Sequence, residues 1–180
     1  GFAEHAPMGA EAMLALGIAP AAVLAWVDRH EPEPSPTDPA LTEPAGALRD
    51  ELTTGDWRPV ARAHIAALVD RLDAHLFHGL IRTAHAVRSL EHHDDRPGRA
   101  ELAAGLAAWT AWAGPSADST PGFDGDPRAA VILAARRGAA AFVARSSIFT
   151  LHALTAPMAF LLLADVLDQD APDVQRGTPP

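Results

Sequence analysis

Two histidines lie seven residues apart in an unbroken helical pattern that runs from His78 to Arg88. At about 100° per residue, seven residues bring the side chains of His78 and His85 to within roughly 20° of the same helix face, with backbones about 10.5 Å apart along it. Neutral imidazole is the commonest protein ligand for zinc, iron, copper and nickel. The spacing therefore predicts that both rings converge on one metal ion, although ligand pairs on one helix are more often three or four residues apart.

Two further histidines stand in apolar surroundings. His5 directly precedes the first predicted helix, and His152 lies in an apolar run where burial would favour the neutral, metal-binding ring. The alternative for each ring is an ordinary hydrogen bond to a helix end. His30, His64 and His75 are predicted to be structural. The candidate metal ligands are thus His5, His78, His85 and His152.

Two charged residues fall within helices otherwise built for burial. Glu11 follows His5 by six residues, and Arg82 follows His78 by four. Because a buried charge needs a partner, Glu11 and Arg82 are candidate catalytic residues that orient a ligand or bind an anionic oxygen of a substrate. The alternative is an ordinary structural salt bridge. Candidates for an apolar pocket wall, or for ordinary core, are Met8, Phe77, Trp109 and Met158.

The composition excludes several kinds of site. The 180 residues contain no cysteine, which excludes disulfides, thiolate metal sites and a cysteine nucleophile. All 14 basic residues are arginine and tyrosine is absent, so lysine Schiff-base chemistry and tyrosine acid–base or radical chemistry are excluded. The formal net charge of -9 argues against a nucleic-acid partner, since such proteins carry a basic face. A metal site must therefore use nitrogen and oxygen ligands.

Apolar residues recur at helical intervals along the chain, and no segment alternates with period two for long enough to form a strand. This pattern predicts an all-α fold, an irregular multi-helix bundle forming a single domain over residues 1–180. Five prolines predict a long Pro-rich loop over residues 31–44, of the kind that covers a site, and residues 170–180 are predicted to be a disordered tail. The predicted helices cover about 7–16, 20–30, 56–73, 77–90, 100–113, 129–149 and 151–167.

The sequence shows no secretory signal, which favours a cytoplasmic location. Its longest apolar stretch, Leu151 to Leu163, is interrupted by Thr155 and Pro157 and is shorter than the roughly 20 residues of a membrane span. It is predicted to be a buried helix, and no membrane contact is expected.

Three motifs resemble the questin oxidase-like family. The first, His5-Ala-Pro-Met-Gly-Ala-Glu11-Ala-Met, is similar to that family's His-Gly-Pro-Met-x-x-Glu-Ala-Leu. The second is His78-Gly-Leu-Ile-Arg-Thr-Ala-His85-Ala-Val-Arg, which is long and unusual, and the third is His152-Ala-Leu-Thr-Ala-Pro157. The motifs occur in the family's order over nearly the whole chain.

The resemblance implies an all-helical oxygenase that opens a ring of an anthraquinone-type aromatic polyketide. It implies a mononuclear non-haem Fe(II) held mainly by histidines, with O2 as co-substrate, NADPH as a candidate reductant and, in some members, a carboxylated lysine ligand. Carried over to this sequence, the ligands are His5, His78, His85 and His152. Arg82 would neutralise a substrate phenolate.

The sequence departs from the family in two ways. Family members are longer, with a C-terminal helical half containing His-x-x-Lys, whereas this chain resembles their N-terminal part and has no lysine. The metal site would then be completed by a second polypeptide or a homo-oligomer, or would use histidines and a carboxylate alone. The alternatives to an oxygenase are a helical partner subunit or fragment without activity of its own, and a zinc-dependent hydrolase.

Overall fold

A computed structural model describes residues 5–30, 39–72, 74–113 and 127–168. These residues form eight α-helices and one short 3-10 helix, Val69–Arg71, and contain no strand. The predicted all-α multi-helix fold is therefore confirmed. The helices are α1 (His5–Ala15), α2 (Pro20–His30), α3 (Pro39–Thr53), α4 (Trp57–Leu68), α5 (His78–His92), α6 (Arg96–Ala113), α7 (Pro127–Ala144) and α8 (Ile148–Asp168).

Local residue chemistry sets several helix ends. Gly17 has φ +78°, the left-handed conformation that glycine adopts without a Cβ clash, and it lies just after α1 as predicted. The carboxylate of Asp56 accepts a hydrogen bond of 3.1 Å from the backbone N–H of Arg58 and caps α4. At the start of α8, Ser147 and Thr150 exchange side-chain to backbone hydrogen bonds in a capping box. This cap separates α7 from α8, so the helix predicted over 129–149 ends earlier, at Ala144.

The central helix is α5, which packs against α1, α6 and α8. Its residues are buried from His78 to Ala84 and again at Val87 and Leu90. Large side chains of the neighbouring helices complete the core around it, chiefly Leu52, Trp57, Ile65, Leu106, Trp109 and Leu163. Because α5 is covered on several sides, a polar group that it carries inward is costly unless it has a partner within the protein, and the buried Thr83 hydroxyl is an exception without a hydrogen bond to any of the described residues.

The loop prediction for residues 31–44 is wrong for residues 39–44, which form the beginning of α3, while residues 31–38 lie outside the described part of the chain. Pro39 occupies the first helical position, where its fixed φ is favourable and its missing N–H is no loss. Pro44 costs one intrahelical hydrogen bond, but Leu48 and Leu52 on the same helix are 8% and 0% exposed. Burial of these two side chains outweighs the loss. The predicted tail over 170–180 also lies outside the described residues.

Within the described ranges, one helix has the length and apolar composition of a membrane span, Phe149–Leu167 of α8. The prediction that this apolar run is too short is therefore wrong, because the helix continues through Pro157 to Asp168. The share of this stretch buried inside the protein is 28%. The prediction of a buried helix is therefore wrong for most of this stretch, although α8 packs against α4, α5 and α7.

Candidate metal centre

Three imidazole rings meet between α1, α5 and α8. The Nε2 atom of His78 lies 2.9 Å from Nε2 of His5 and 3.3 Å from Nε2 of His152. One ring nitrogen from each residue lies within 4.8 Å of the other two. With metal–nitrogen bonds of about 2.0–2.1 Å, adjacent ligand nitrogens are separated by roughly 3 Å, so these three nitrogens are spaced to share one ion. We refer to His5, His78 and His152 as the histidine triad.

The orientation of His78 is set by its own backbone neighbourhood. Its Nδ1–H donates a 2.6 Å hydrogen bond to the carbonyl oxygen of His75. In the neutral ring this leaves Nε2 without a proton and directed at the other two imidazoles. His78 and His152 are buried, whereas His5 is exposed. The triad therefore lies at the protein surface, with one ligand at its open side.

Burial favours the uncharged rings that a metal requires. Desolvation lowers the pKa of His78, and the neighbouring His152 and His5 lower it further, against the His75 hydrogen bond that raises it. Desolvation also lowers the pKa of His5, with a further contribution from His152. At neutral pH both rings are consequently in the form that donates a lone pair to a metal.

The backbone before His78 is strained. His75, Leu76 and Phe77 have φ values of 49°, 55° and 65°, so three successive non-glycine residues are left-handed. Such a conformation costs roughly 1–2 kcal/mol per residue. The segment places the His75 carbonyl against His78, and the His75 ring stacks on Trp112 with centroids 4.5 Å apart. His75 was predicted to be structural only, since a contribution made by a backbone carbonyl has no side-chain signature.

The strain at Leu76 leads to a stability prediction. Leu76 is 48% exposed, so Leu76→Gly loses little packing and removes the steric cost of a positive φ. After allowance for the greater freedom of glycine in the unfolded chain, we expect a gain of about 0.5–1 kcal/mol in unfolding free energy, measured by urea denaturation. The control Leu24→Gly, at a 64% exposed position within α2, should lose about 1 kcal/mol. A loss in both variants contradicts the strained conformation.

The structure does not bring His85 into the triad, which corrects its assignment as a fourth metal ligand. His85 and His78 share a face of α5, but their backbones lie about 10.5 Å apart along it, and the group of converging ring nitrogens includes His78 without His85. The Nδ1–H of His85 instead donates to the carboxylate of Glu11 on α1. The prediction that His78 and His85 lie on the same face of the helix was correct, and the prediction that both bind the same metal ion was not.

Glu11 lies in an ion pair rather than in the triad. Its carboxylate accepts a 2.8 Å hydrogen bond from Nε of Arg88, and shorter contacts from Nη2 of Arg88 and Nδ1 of His85. Burial raises the pKa of Glu11, but the hydrogen bonds from His85 and Arg88 outweigh it and lower the pKa to about 2. The group therefore joins α1 to α5 at neutral pH. Arg88 was not predicted, because its partner lies 77 residues away in sequence.

The contribution of the Glu11 ion pair to the unfolding free energy should be lost in acid. The folded-state pKa of about 2 lies below the ordinary value of 4.5, so the contribution is complete above pH 4.5 and declines as the pH falls towards 2. We expect Glu11→Gln to lose about 2–3 kcal/mol of unfolding free energy at pH 7, and the gap from wild type to shrink between pH 4.5 and 3. Urea titrations at several pH values measure this. The exposed Glu91→Gln serves as control, and a pH-independent gap contradicts the assignment.

Arg82 likewise forms a structural salt bridge, the alternative that the sequence left open. Its Nε and Nη2 donate to the two carboxylate oxygens of Glu101 at 2.6 and 3.0 Å, which links α5 to α6. The Arg82 side chain is 9% exposed. This two-point contact neutralises the buried charge of Arg82 and directs its guanidinium towards α6.

A groove of about 850 Å³ lies along the same three helices and also includes Arg128 of α7, and the triad histidines themselves do not line it. Each helix contributes to it the residue seven positions after its triad histidine: Ala12, His85 and Ala159. Of the four apolar-wall candidates, Met158 lines the groove, whereas Met8 and Trp109 belong to the buried core and Phe77 packs against it. Ile81 and Leu154, which line the groove, follow His78 and His152 by three and two residues, so the groove begins about one helical turn from the triad and has room for a small molecule.

Comparisons with known proteins add no assignment. No protein-family model, no curated protein and no solved structure matches this chain. The functional conclusion consequently depends on the chemistry of the triad, the groove and the residues that orient them.

Proposed function

We propose that this chain provides the histidine ligands of a questin oxidase-like oxygenase, which opens a ring of an anthraquinone-type aromatic polyketide at a non-haem iron. The observation that carries the proposal is the meeting of His5, His78 and His152. Each is the first residue of one of the three motifs that resemble the family. Motifs that are far apart in sequence thus contribute their leading residues to one place.

The donor set fits an iron or zinc ion. Three neutral imidazoles occupy part of a coordination sphere and leave positions open for a substrate or for O2. Metal-binding histidines usually donate their other ring N–H to an oxygen acceptor, and the hydrogen bond from Nδ1 of His78 to the His75 carbonyl does this and fixes the ring and its tautomer. The nitrogen-only set also matches the absence of cysteine.

The protein residues have separate roles in this proposal. The triad binds the metal, and the groove beside it holds a flat apolar substrate against Ile81, Ala84 and Leu154. Iron, when bound, supplies the redox chemistry by which O2 reacts with an aromatic ring, with NADPH as a candidate reductant. The apolar walls keep water away from the substrate, and the buried pair Arg82–Glu101 keeps α5 in register with α6.

A second candidate is a partner subunit that contributes part of such a site and is inactive alone. Two observations favour it: His5 lies on the open side of the triad, and several large apolar side chains are exposed, including Leu16, Val143 and Phe149. A second polypeptide or a second copy would cover both. A third candidate is a zinc-dependent hydrolase, because three protein ligands with an open position are also the arrangement of catalytic zinc.

Metal binding and O2 consumption test the proposal. The chain is purified anaerobically, loaded with Fe(II) or Zn(II), and analysed for bound metal and for O2 uptake with a hydroxyanthraquinone. We expect one iron per chain and uptake that requires both iron and the aromatic compound. Iron binding with uptake only after a second polypeptide is added supports the partner subunit. Zinc binding with ester hydrolysis and no uptake supports the hydrolase, and failure of the chain to bind any metal, alone or with the second polypeptide, contradicts all three.

A further inference from the structure

A second chemical group faces the groove, and the proposed metal centre does not use it. His85 lines the groove from α5, and its side chain is 21% exposed. Its Nδ1 is held by the Glu11 carboxylate, whose side chain is 17% exposed. A half-buried carboxylate–imidazole pair at the wall of a cavity has the composition of a proton-transfer dyad.

The hydrogen bonds determine which ring nitrogen is available. Arg88 binds both oxygens of Glu11, so the carboxylate stays ionised and fixed in place. Nη2 of Arg88 also lies 3.1 Å from Nδ1 of His85, but both atoms carry protons directed at the carboxylate. In the tautomer whose proton is on Nδ1, the lone pair of the ring is on Nε2. Among the residues that the structure describes, no hydrogen bond to this Nε2 is formed.

We propose that the groove binds an apolar molecule carrying a weakly acidic hydroxyl group, and that Nε2 of His85 accepts the hydroxyl proton while Glu11 acts as a positioning residue. In this step the ligand O–H bond breaks, its electron pair remains on oxygen, and an N–H bond forms at Nε2. The Glu11 carboxylate balances the charge of the resulting imidazolium. The step needs no oxidant or metal, so it stands apart from the chemistry of the triad.

The lining of the groove matches this ligand. Alanines at positions 12, 84 and 159 provide a flat surface, and Ile81, Leu154 and Met158 provide apolar contact. Arg128 is paired with Asp165 at 2.8 Å, and Arg88 with Glu11, so both guanidinium groups beside the groove are partnered by carboxylates. The ionisable groups that line the groove are His85, Arg88, Glu91, His92, Arg128 and Asp165. A neutral hydroxyl next to His85 is therefore a better match than a permanently charged ligand.

Binding of 7-hydroxycoumarin to the full chain, in the presence of a chelator, tests the inference. This bicyclic phenol has separate excitation bands for its neutral and ionised forms. We expect the bound probe to be more ionised than the free probe at the same pH. His85→Gln should lower the ionised-to-neutral ratio of bound probe about tenfold, equivalent to one pKa unit. The control His64→Gln removes another carboxylate-paired histidine, which lies outside the groove and contacts Glu51 at 3.6 Å, and should leave the ratio unchanged.

Glu11 requires a test that separates positioning from folding. Glu11→Gln should lower the ionised ratio, and Glu11→Asp should restore part of it, because a carboxylate again holds Nδ1. Nitrogen NMR of wild-type His85 should show the Nδ1–H tautomer in the free protein and imidazolium when the probe is bound, which needs no variant. Absence of probe binding, an unchanged ratio in His85→Gln, or an Nε2–H tautomer would each overturn the inference. Because the chelator removes metal ions, none of these results depends on the proposed oxygenase.

Discussion

His78→Ala is expected to reduce the affinity for Fe(II) or Zn(II) by at least about 100-fold, whereas His85→Ala should leave it within about threefold. His78 is the central ligand, since its Nε2 lies 2.9 and 3.3 Å from the ring nitrogens of His5 and His152. Removing it leaves only two of the three imidazole ligands. Loss of a single second-shell partner already costs roughly 10–100-fold in metal affinity, so loss of this ligand should cost more.

The comparison with His85 makes this experiment selective. Both histidines lie on α5 and on one face of it, and both are held through Nδ1 by an oxygen acceptor. Only His78 belongs to the described group of convergent rings. Isothermal titration of apo-protein with each metal gives the affinities, and circular dichroism confirms that both variants fold. Equal losses in the two variants would restore the four-histidine site, and no loss in either would remove the metal centre.

Gly79→Ala is expected to destabilise the protein by about 3 kcal/mol and to weaken metal binding at least about tenfold. A Cβ at Gly79 would lie 2.5 Å from Cβ of Trp109 and 2.7 Å from its Cα. The backbone of α6 cannot yield locally, so α5 must move away from it, and overpacking of this kind costs roughly 1–3 kcal/mol or more. Because Gly79 directly follows His78, the same movement displaces the central ligand from its two partners.

Gly46→Ala is the matched control for this substitution. Gly46 is also helical, but a Cβ there would meet nothing closer than a flexible Arg49 nitrogen at 4.0 Å. Alanine should therefore stabilise α3 by about 0.5–1 kcal/mol through its higher helix propensity. Urea denaturation and metal titration of both variants measure the two effects. A Gly79→Ala protein as stable as wild type would contradict the close approach of α5 and α6.

Features that depend on neighbouring residues were predicted correctly, and features that depend on helix packing were not. Local signals predicted the local features: the first helix ends before Gly17, α4 begins near Asp56, and α5 extends over the two-histidine segment. The prolines led to the wrong prediction of a loop where α3 begins. The cost of Pro44 in a helix is a local effect, whereas the compensating burial of Leu52 depends on contacts with other helices. The residue type alone indicates the first effect, whereas the second depends on the packing of α3 against other helices.

In the candidate site, too, the sequence determined some features and the tertiary structure determined others. The sequence by itself determined the available chemistry, since a chain with histidines but no cysteine or lysine restricts its metal ligands to imidazole and oxygen donors. It also determined that His78 and His85 share a helix face, because helical phase depends on residue spacing alone. The partners of these rings were decided by tertiary structure: His78 meets His5 across 73 residues, and His85 meets Glu11 across 74. Contacts over such separations depend on how whole helices pack, which no local pattern encodes.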